Sequence, residues 1–116
     1  MGKKYDLEER TYTFAKNCRI LVNEFPYSVS NREDSKQLVR SSGSIGANYI
    51  EANEALSKKD FLFRIKVSRK EAKESKYWLR LLKVTNVDFE QEIEELITES
   101  DELRRILSAI INNSNQ

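Results

Sequence analysis

Arg40-Ser41-Ser42-Gly43-Ser44-Ile45-Gly46-Ala47-Asn48-Tyr49-Ile50-Glu51 is a run of small and uncharged residues held between an arginine and a glutamate, inside a segment otherwise built for helix. A glycine in a helix interior costs roughly 0.5–1 kcal/mol relative to alanine, so Gly43 and Gly46 three residues apart need something in return. Close approach of another helix supplies it. Around the run, Leu38, Ser42, Ile45, Tyr49, Ala52 and Leu56 recur at alternating four- and three-residue steps, the seam of a helix bundle.

The same rhythm continues on both sides. Upstream, Asp6 and Glu9 stand in capping-box spacing, and Leu7, Phe14, Ala15, Cys18, Leu21, Val22 and Phe25 follow at helical intervals until Pro26. Downstream, Ser57 and Asp60 mark a third start, followed by Phe61, Ile65, Ser68, Ala72, Ser75, Leu79 and Leu82. After a break around 85–87, Asp88 and Gln91 open a fourth segment with Phe89, Ile93, Leu96, Ile97, Leu103, Ile106, Leu107 and Ile110. The polar tail from Asn112 onward is expected to fray. Strand-type alternation appears nowhere at length. The predicted fold is all-α: one domain over residues 1–116, with helices over about 7–25, 32–56, 58–84 and 89–112. Short connections favour an antiparallel up-down-up-down four-helix bundle with crossing angles of about 20°.

At 116 residues, 39% hydrophobic and 34% charged, the chain has the size and balance of one water-soluble helical domain. No apolar run approaches the roughly 20 residues needed to span a bilayer, and the first residues lack the apolar stretch of a signal peptide. A cytoplasmic location is expected. The lone Cys18 has no internal disulfide partner and reads as a small buried hydrophobe.

The second helix has more than one face to bury. Beside its main seam runs a stripe of Val39, Gly43, Gly46 and Ile50, with Ala47 next to it; it either widens the core of its own bundle or meets another subunit. Self-association is the preferred reading, because a four-helix monomer leaves one side of each helix wet. A third row holds Arg40, Ser44, Asn48 and Glu51. Its members are either buried and satisfied by hydrogen bonds or turned to water. Arg40 and Glu51 stand about 16 Å apart along the axis at 1.5 Å per residue, so they need partners elsewhere. Glu71 and Glu74 are candidates for Arg40.

Charge is segregated along the chain. Residues 57–85 carry ten Lys/Arg against three Asp/Glu, a net +7, whereas residues 86–116 carry two against eight, a net −6. Neighbouring helices of opposite sign complement each other, within the chain or between subunits. The functional alternative is that Arg64, Lys66, Arg69, Lys70, Lys73 and Lys76, with Tyr77 and Trp78 nearby, contact nucleic-acid phosphates and stack on exposed bases. The overall pI of about 7.8 is modest for such a role, and Trp78 reads more readily as a core or interface anchor.

Chemistry finds little footing here. Histidine is absent, which removes the usual general base at neutral pH and the commonest transition-metal ligand. Gly43-Ser-Ile-Gly46 follows no strand and lacks the Gly-Lys-Ser/Thr ending of a phosphate loop. Serines 41, 42 and 44 have no activating base nearby in sequence. Neither enzymatic activity, a cofactor, a metal nor a small-molecule substrate is expected.

Residues 37–51, Gln-Leu-Val-Arg-Ser-Ser-Gly-Ser-Ile-Gly-Ala-Asn-Tyr-Ile-Glu, together with Lys59-Asp-Phe61 and Glu71-Ala-Lys-Glu-Ser-Lys-Tyr-Trp-Leu79, resemble the bacterial four-helix bundle family called 23S rRNA intervening sequence proteins, or S23. The resemblance spans most of the chain and is most specific at Arg40-Ser41, Ser44-Ile45, Asn48, Glu51 and the block from Glu74-Ser75 to Trp78-Leu79. Family members often have Gly after the glutamate matched by Glu51, where this chain has Ala52. The resemblance implies an antiparallel four-helix bundle assembling as a ring-like homopentamer, sometimes encoded within insertions of 23S rRNA genes. Relatives include accessory proteins of diversity-generating retroelements, which work with a reverse transcriptase and nucleic acid. The expected partners are therefore further copies of the chain and RNA or an RNA-binding protein. The alternative is an interaction scaffold without nucleic-acid affinity.

Overall fold

The structure, a computed structural model, describes residues 5–114, with side chains from residue 7 onward. The capping expected from Asp6 lies outside the described side chains. Four long helices follow one another: α1 (Tyr5–Val22), α2 (Val29–Asn53), α3 (Lys58–Thr85) and α4 (Glu90–Ser114), with a 3-10 turn over Val87–Phe89 between the last two. No strand occurs among the described residues.

Side-chain pairs set the directions. Ser41 meets Ser75, the Ile45 carbonyl accepts from Ser68, and Asn48 meets Arg64, so α2 and α3 run antiparallel. Arg69 to Ser108, Lys76 to Asp101 and Lys83 to Glu94 do the same for α3 and α4. Each helix packs on its sequence neighbours, and α4 closes back on α1, the shortest and least tightly held of the four. The core is one cluster built from all four seams, with Phe14, Leu38, Ile45, Ile65, Leu79, Leu82, Ile93, Leu103 and Leu107 almost free of solvent contact. Three serines, Ser41, Ser68 and Ser75, sit inside that cluster at 0% exposure, and each finds a hydrogen bond across the α2/α3 contact. A small side chain lets the two helices approach, and its hydroxyl is satisfied in place.

The helix ends depart from the predicted boundaries for local reasons. α1 stops at Val22 instead of Phe25; the amides of Glu24 and Phe25 bond back to Leu21 and Val22, tightening the last turn before Pro26 forces an extended backbone. α2 starts three residues early, at Val29, because Ser28 is its N-cap: the Ser28 hydroxyl accepts from the Asn31 amide at 3.0 Å. Asn31, expected in the connection, is therefore a buried helical residue. At the other end α2 finishes at Asn53, and Leu56, expected in the seam, is fully exposed. The chain must leave the helix to place Ser57 in extended geometry, where its hydroxyl caps α3 through the Asp60 amide. Asp88 and Gln91 do not start α4. Asn86 instead leads the 3-10 turn, receiving the Phe89 amide on its carbonyl. α4 remains helical through Ser114, past the Asn112 at which fraying is expected, and the last two residues of that tail lie outside the described residues.

Candidate nucleic-acid interface

The face of α3 turned away from the bundle carries cations with few acids to answer them. Lys66, Lys70 and Lys73 point outward and are exposed, and among the described residues neither Lys66 nor Lys73 has an ion-pair partner. The Lys70 ammonium lies 3.9 Å from Glu71. With Gln37, Arg40, Arg69, Glu74, Tyr77 and Trp78 these lysines line a shallow groove of about 620 Å³ along the α2/α3 side.

The other expected contact residues are engaged inside the chain. Arg64 donates to Asn48 Oδ1 at 3.2 Å, Arg69 to Ser108 Oγ at 3.2 Å, and Lys76 pairs with Asp101 at 3.2 Å. Lys83 contacts Glu94, which holds its ammonium above the usual lysine range. The opposite charges of α3 and α4 are thus partly matched within one bundle. Tyr77 is 54% exposed, while Trp78 is half-buried against the core with its ring edge-on to Tyr77 at 5.1 Å.

The polar row of α2 divides. Arg40 forks towards two carboxylates of α3, with Nη2 3.2 Å from Glu74 and Nη1 3.7 Å from Glu71. Glu71 is 92% buried by its side chain, and its Oε1 accepts no hydrogen bond, since 3.7 Å is beyond hydrogen-bond reach. Two turns further along α2, Asn48 joins the Ser44 carbonyl at 2.9 Å to Arg64. Glu51 is exposed, and the Ser44 and Glu51 side chains make no hydrogen bond or ion pair among the described residues.

The small-residue stripe faces α1. A Cβ on Gly46 would stand 2.7 Å from Thr11 Oγ1, and one on Gly43 would meet the Arg19 guanidinium at 3.1 Å. The close approach anticipated for the glycines is thus made within the chain, by α1. Val39 is half-buried, its carbonyl accepting from Arg19 Nη2 at 3.1 Å. Ala47 and Ile50 remain exposed and, with Tyr12, Lys16 and Ile20 of α1, border an apolar groove of about 700 Å³ over the glycines. On the opposite side of the bundle from the α3 lysines, the loose α1/α4 contact leaves a groove edged by Glu9, Glu24, Glu92, Glu95 and Glu99, with Arg10 bridging to Glu99 at 2.6 and 3.0 Å. That acidic side combines residues of the first and last helices, and no single stretch of sequence signals it.

The sequence model of the 23S rRNA-intervening sequence protein family matches residues 3–109. This chain belongs to that family. A similar fold is seen in the solved structure of a protein of unknown function from the S23 ribosomal protein family of Bacteroides thetaiotaomicron; it is 35% identical, the match covers 90% of this chain and 97% of that one, and the TM-score is 0.79. Comparison with the curated proteins gives no match. In this family member no helix among the described residues is long and apolar enough to cross a membrane.

Proposed function

We propose that this chain is a non-enzymatic, self-associating member of the 23S rRNA-intervening sequence protein family that binds RNA through the outer face of α3. The carrying observation is the cluster of Lys66, Lys70 and Lys73, exposed and largely unanswered by acids of the same chain, beside Arg40 and Tyr77. Cations that are not neutralised internally exchange their counterions for phosphates, and RNA supplies those phosphates in a row. Self-association uses the α1/α2 groove, where Tyr12, Ile20 and Ile50 expose 60%, 53% and 45% of their surface around Gly43 and Ala47. Assembly as a ring-like pentamer multiplies a modest basic patch into a large one.

Solution mass by light scattering at low and high salt, with absorbance at 260 and 280 nm, tests both parts. A multiple of the monomer mass carrying RNA that dissociates at high salt is the expected result. A monomer removes the assembly reading. Replacement of Lys66, Lys70 and Lys73 by Glu is expected to abolish RNA binding in a salt titration, and unchanged binding removes the RNA reading.

The engagement of Arg64, Arg69, Lys76 and Lys83 by α2 and α4 favours a second reading, an interaction scaffold without nucleic-acid affinity. Partners that survive nuclease treatment of a captured complex, together with no affinity for RNA, would support it.

A further inference from the structure

On the outer face of α3, Phe63, Lys66, Lys70, Lys73, Tyr77 and Arg80 follow one another at steps of three and four residues, so all six share one helical stripe, and all six are exposed. The stripe contains no acid. Two aromatic rings, 58% and 54% exposed, bracket the three lysines. Fourteen residues separate the rings, about 21 Å along the axis at 1.5 Å per residue. That distance corresponds to roughly six nucleotides of a stacked single strand at about 3.4 Å each.

Neither ring is loose. Tyr77 is braced edge-on by Trp78, which is itself packed against the core. Phe63 carries the Arg64 guanidinium 5.7 Å from its centre, and Arg64 is in turn tied to Asn48. Single exposed apolar residues are ordinary on a protein surface. Here they lie in register with Lys66, Lys70 and Lys73, of which Lys70 alone has an ion-pair partner, Glu71, among the described residues; Tyr77 is held by an edge contact, Phe63 has the Arg64 guanidinium over its ring, and both aromatic residues stay more than half exposed.

We infer that this stripe is a track for single-stranded RNA, with phosphates along Lys66, Lys70 and Lys73 and bases stacked on Tyr77 and Phe63; the inference rests on the RNA-binding reading of the same face. Base faces are available only in a single strand. An A-form duplex keeps its bases stacked inside and offers proteins phosphates, 2′-hydroxyls and a shallow minor groove, so the two rings would find nothing to stack on. A run of cations flanked by aromatic platforms suits single-strand binding, and it is indifferent to sequence because every base has a π face.

The test is fluorescence anisotropy of the full-length protein with a labelled 12-nucleotide unstructured RNA and a 12-base-pair RNA duplex, over a salt series, for the parent chain, Tyr77→Ala, Tyr77→Phe and Lys70→Glu. The single strand is expected to bind at least about tenfold more tightly than the duplex. Tyr77→Ala should weaken single-strand binding by about 5- to 100-fold with the salt slope unchanged, and Tyr77→Phe should retain it. Lys70→Glu should flatten the slope of log K against log salt by about 0.7 or more. Equal or tighter binding of the duplex, or indifference to Tyr77→Ala, overturns the single-strand track while the RNA reading stands. Failure of both nucleic acids to bind removes the RNA reading itself. A fall in assembly mass on Tyr77→Ala, with RNA affinity unchanged, makes the stripe a subunit contact and overturns the proposal.

Discussion

Asn31, in the first turn of α2, and Asn86, just past the end of α3, hold each other's side-chain amides in a reciprocal pair: Asn31 Nδ2 donates to Asn86 Oδ1 at 3.0 Å, and Asn86 Nδ2 donates to Asn31 Oδ1 at 2.7 Å. Both residues are buried, at 5% and 4% exposure. Their remaining donors reach the Pro26 and Leu82 carbonyls at 2.9 and 2.8 Å, so the pair links the α1–α2 connection to the end of α3. The pair locks this end of the bundle.

Removing one member leaves the other buried and short of partners. Asn86→Ala or Asn31→Ala is expected to cost about 2–3 kcal/mol in urea unfolding, within the range for an orphaned buried polar group with lost packing. The double variant should be more stable than the sum of the two losses implies, by roughly 1 kcal/mol or more, as a double-mutant cycle would report. Strict additivity would show that the two amides act independently.

The two helical glycines should respond differently to the same change. Gly46→Ala drives a methyl to within 2.7 Å of Thr11 Oγ1, and Thr11 cannot readily turn away because it is 1% exposed and bonded to the Glu8 carbonyl. A loss of about 1–3 kcal/mol from overpacking is expected, reduced when Thr11→Ala is added. Gly43→Ala meets only the end of the flexible Arg19 side chain. The helix-propensity gain of about 0.5–1 kcal/mol should leave it neutral or slightly stabilised by thermal or urea unfolding.

Arg40 is the nearest basic group to a carboxylate that has no hydrogen-bond donor on Oε1. Arg40→Ala should destabilise the chain by about 1–2 kcal/mol, less than for a fully buried pair because Arg40 is itself 53% exposed. In a Glu71→Gln background the same substitution should cost less, since no buried charge is left behind. An equal cost in both backgrounds, measured by urea unfolding, would argue against the ionic coupling.

Cys18 has no solvent exposure, and burial pushes its thiol up to about 12 from 9.0, against smaller opposing effects of Ser42 and Arg19. A thiol reagent at pH 8 should therefore find no reactive group in the folded protein and one after denaturation. The linkage has a definite sign. Below about pH 9 the thiol is protonated in both states and contributes no pH dependence; between about 9 and 12 the unfolded chain ionises first, so stability falls as pH rises. Cys18→Ala should lose that component of the alkaline decline, seen as a shallower fall of unfolding free energy relative to the parent over this range.

Some of this architecture was legible because its signals are local. The four-three seams of α2, α3 and α4 name most of the core, and Ser57 with Asp60 names the start of α3. Ser28 carries only half of a capping signature, because the residue three places on is Asn31 and not Glu or Gln. Leu56 continues the seam period past Glu54, but the chain turns there to satisfy the cap of the next helix, so the period carries no burial at that position. The reading of Glu71 and Glu74 as partners for Arg40 relied on both lying on the next helix in chain order.

Four long helices, the apolar side of each, the opposite charges of α3 and α4, and the family are all written in the sequence, whereas the 3-10 turn before α4 is not. Periodicity, capping and charge act between residues a few positions apart, so they can be read along the chain. Tertiary packing alone makes Asn31 meet Asn86 and Gly46 make room for Thr11, and it alone sorts the α3 lysines into those answered by α4 and those that face solvent. Those outcomes depend on the registers of helices separated by tens of residues. Register is set by packing all the seams at once, and no local pattern carries it.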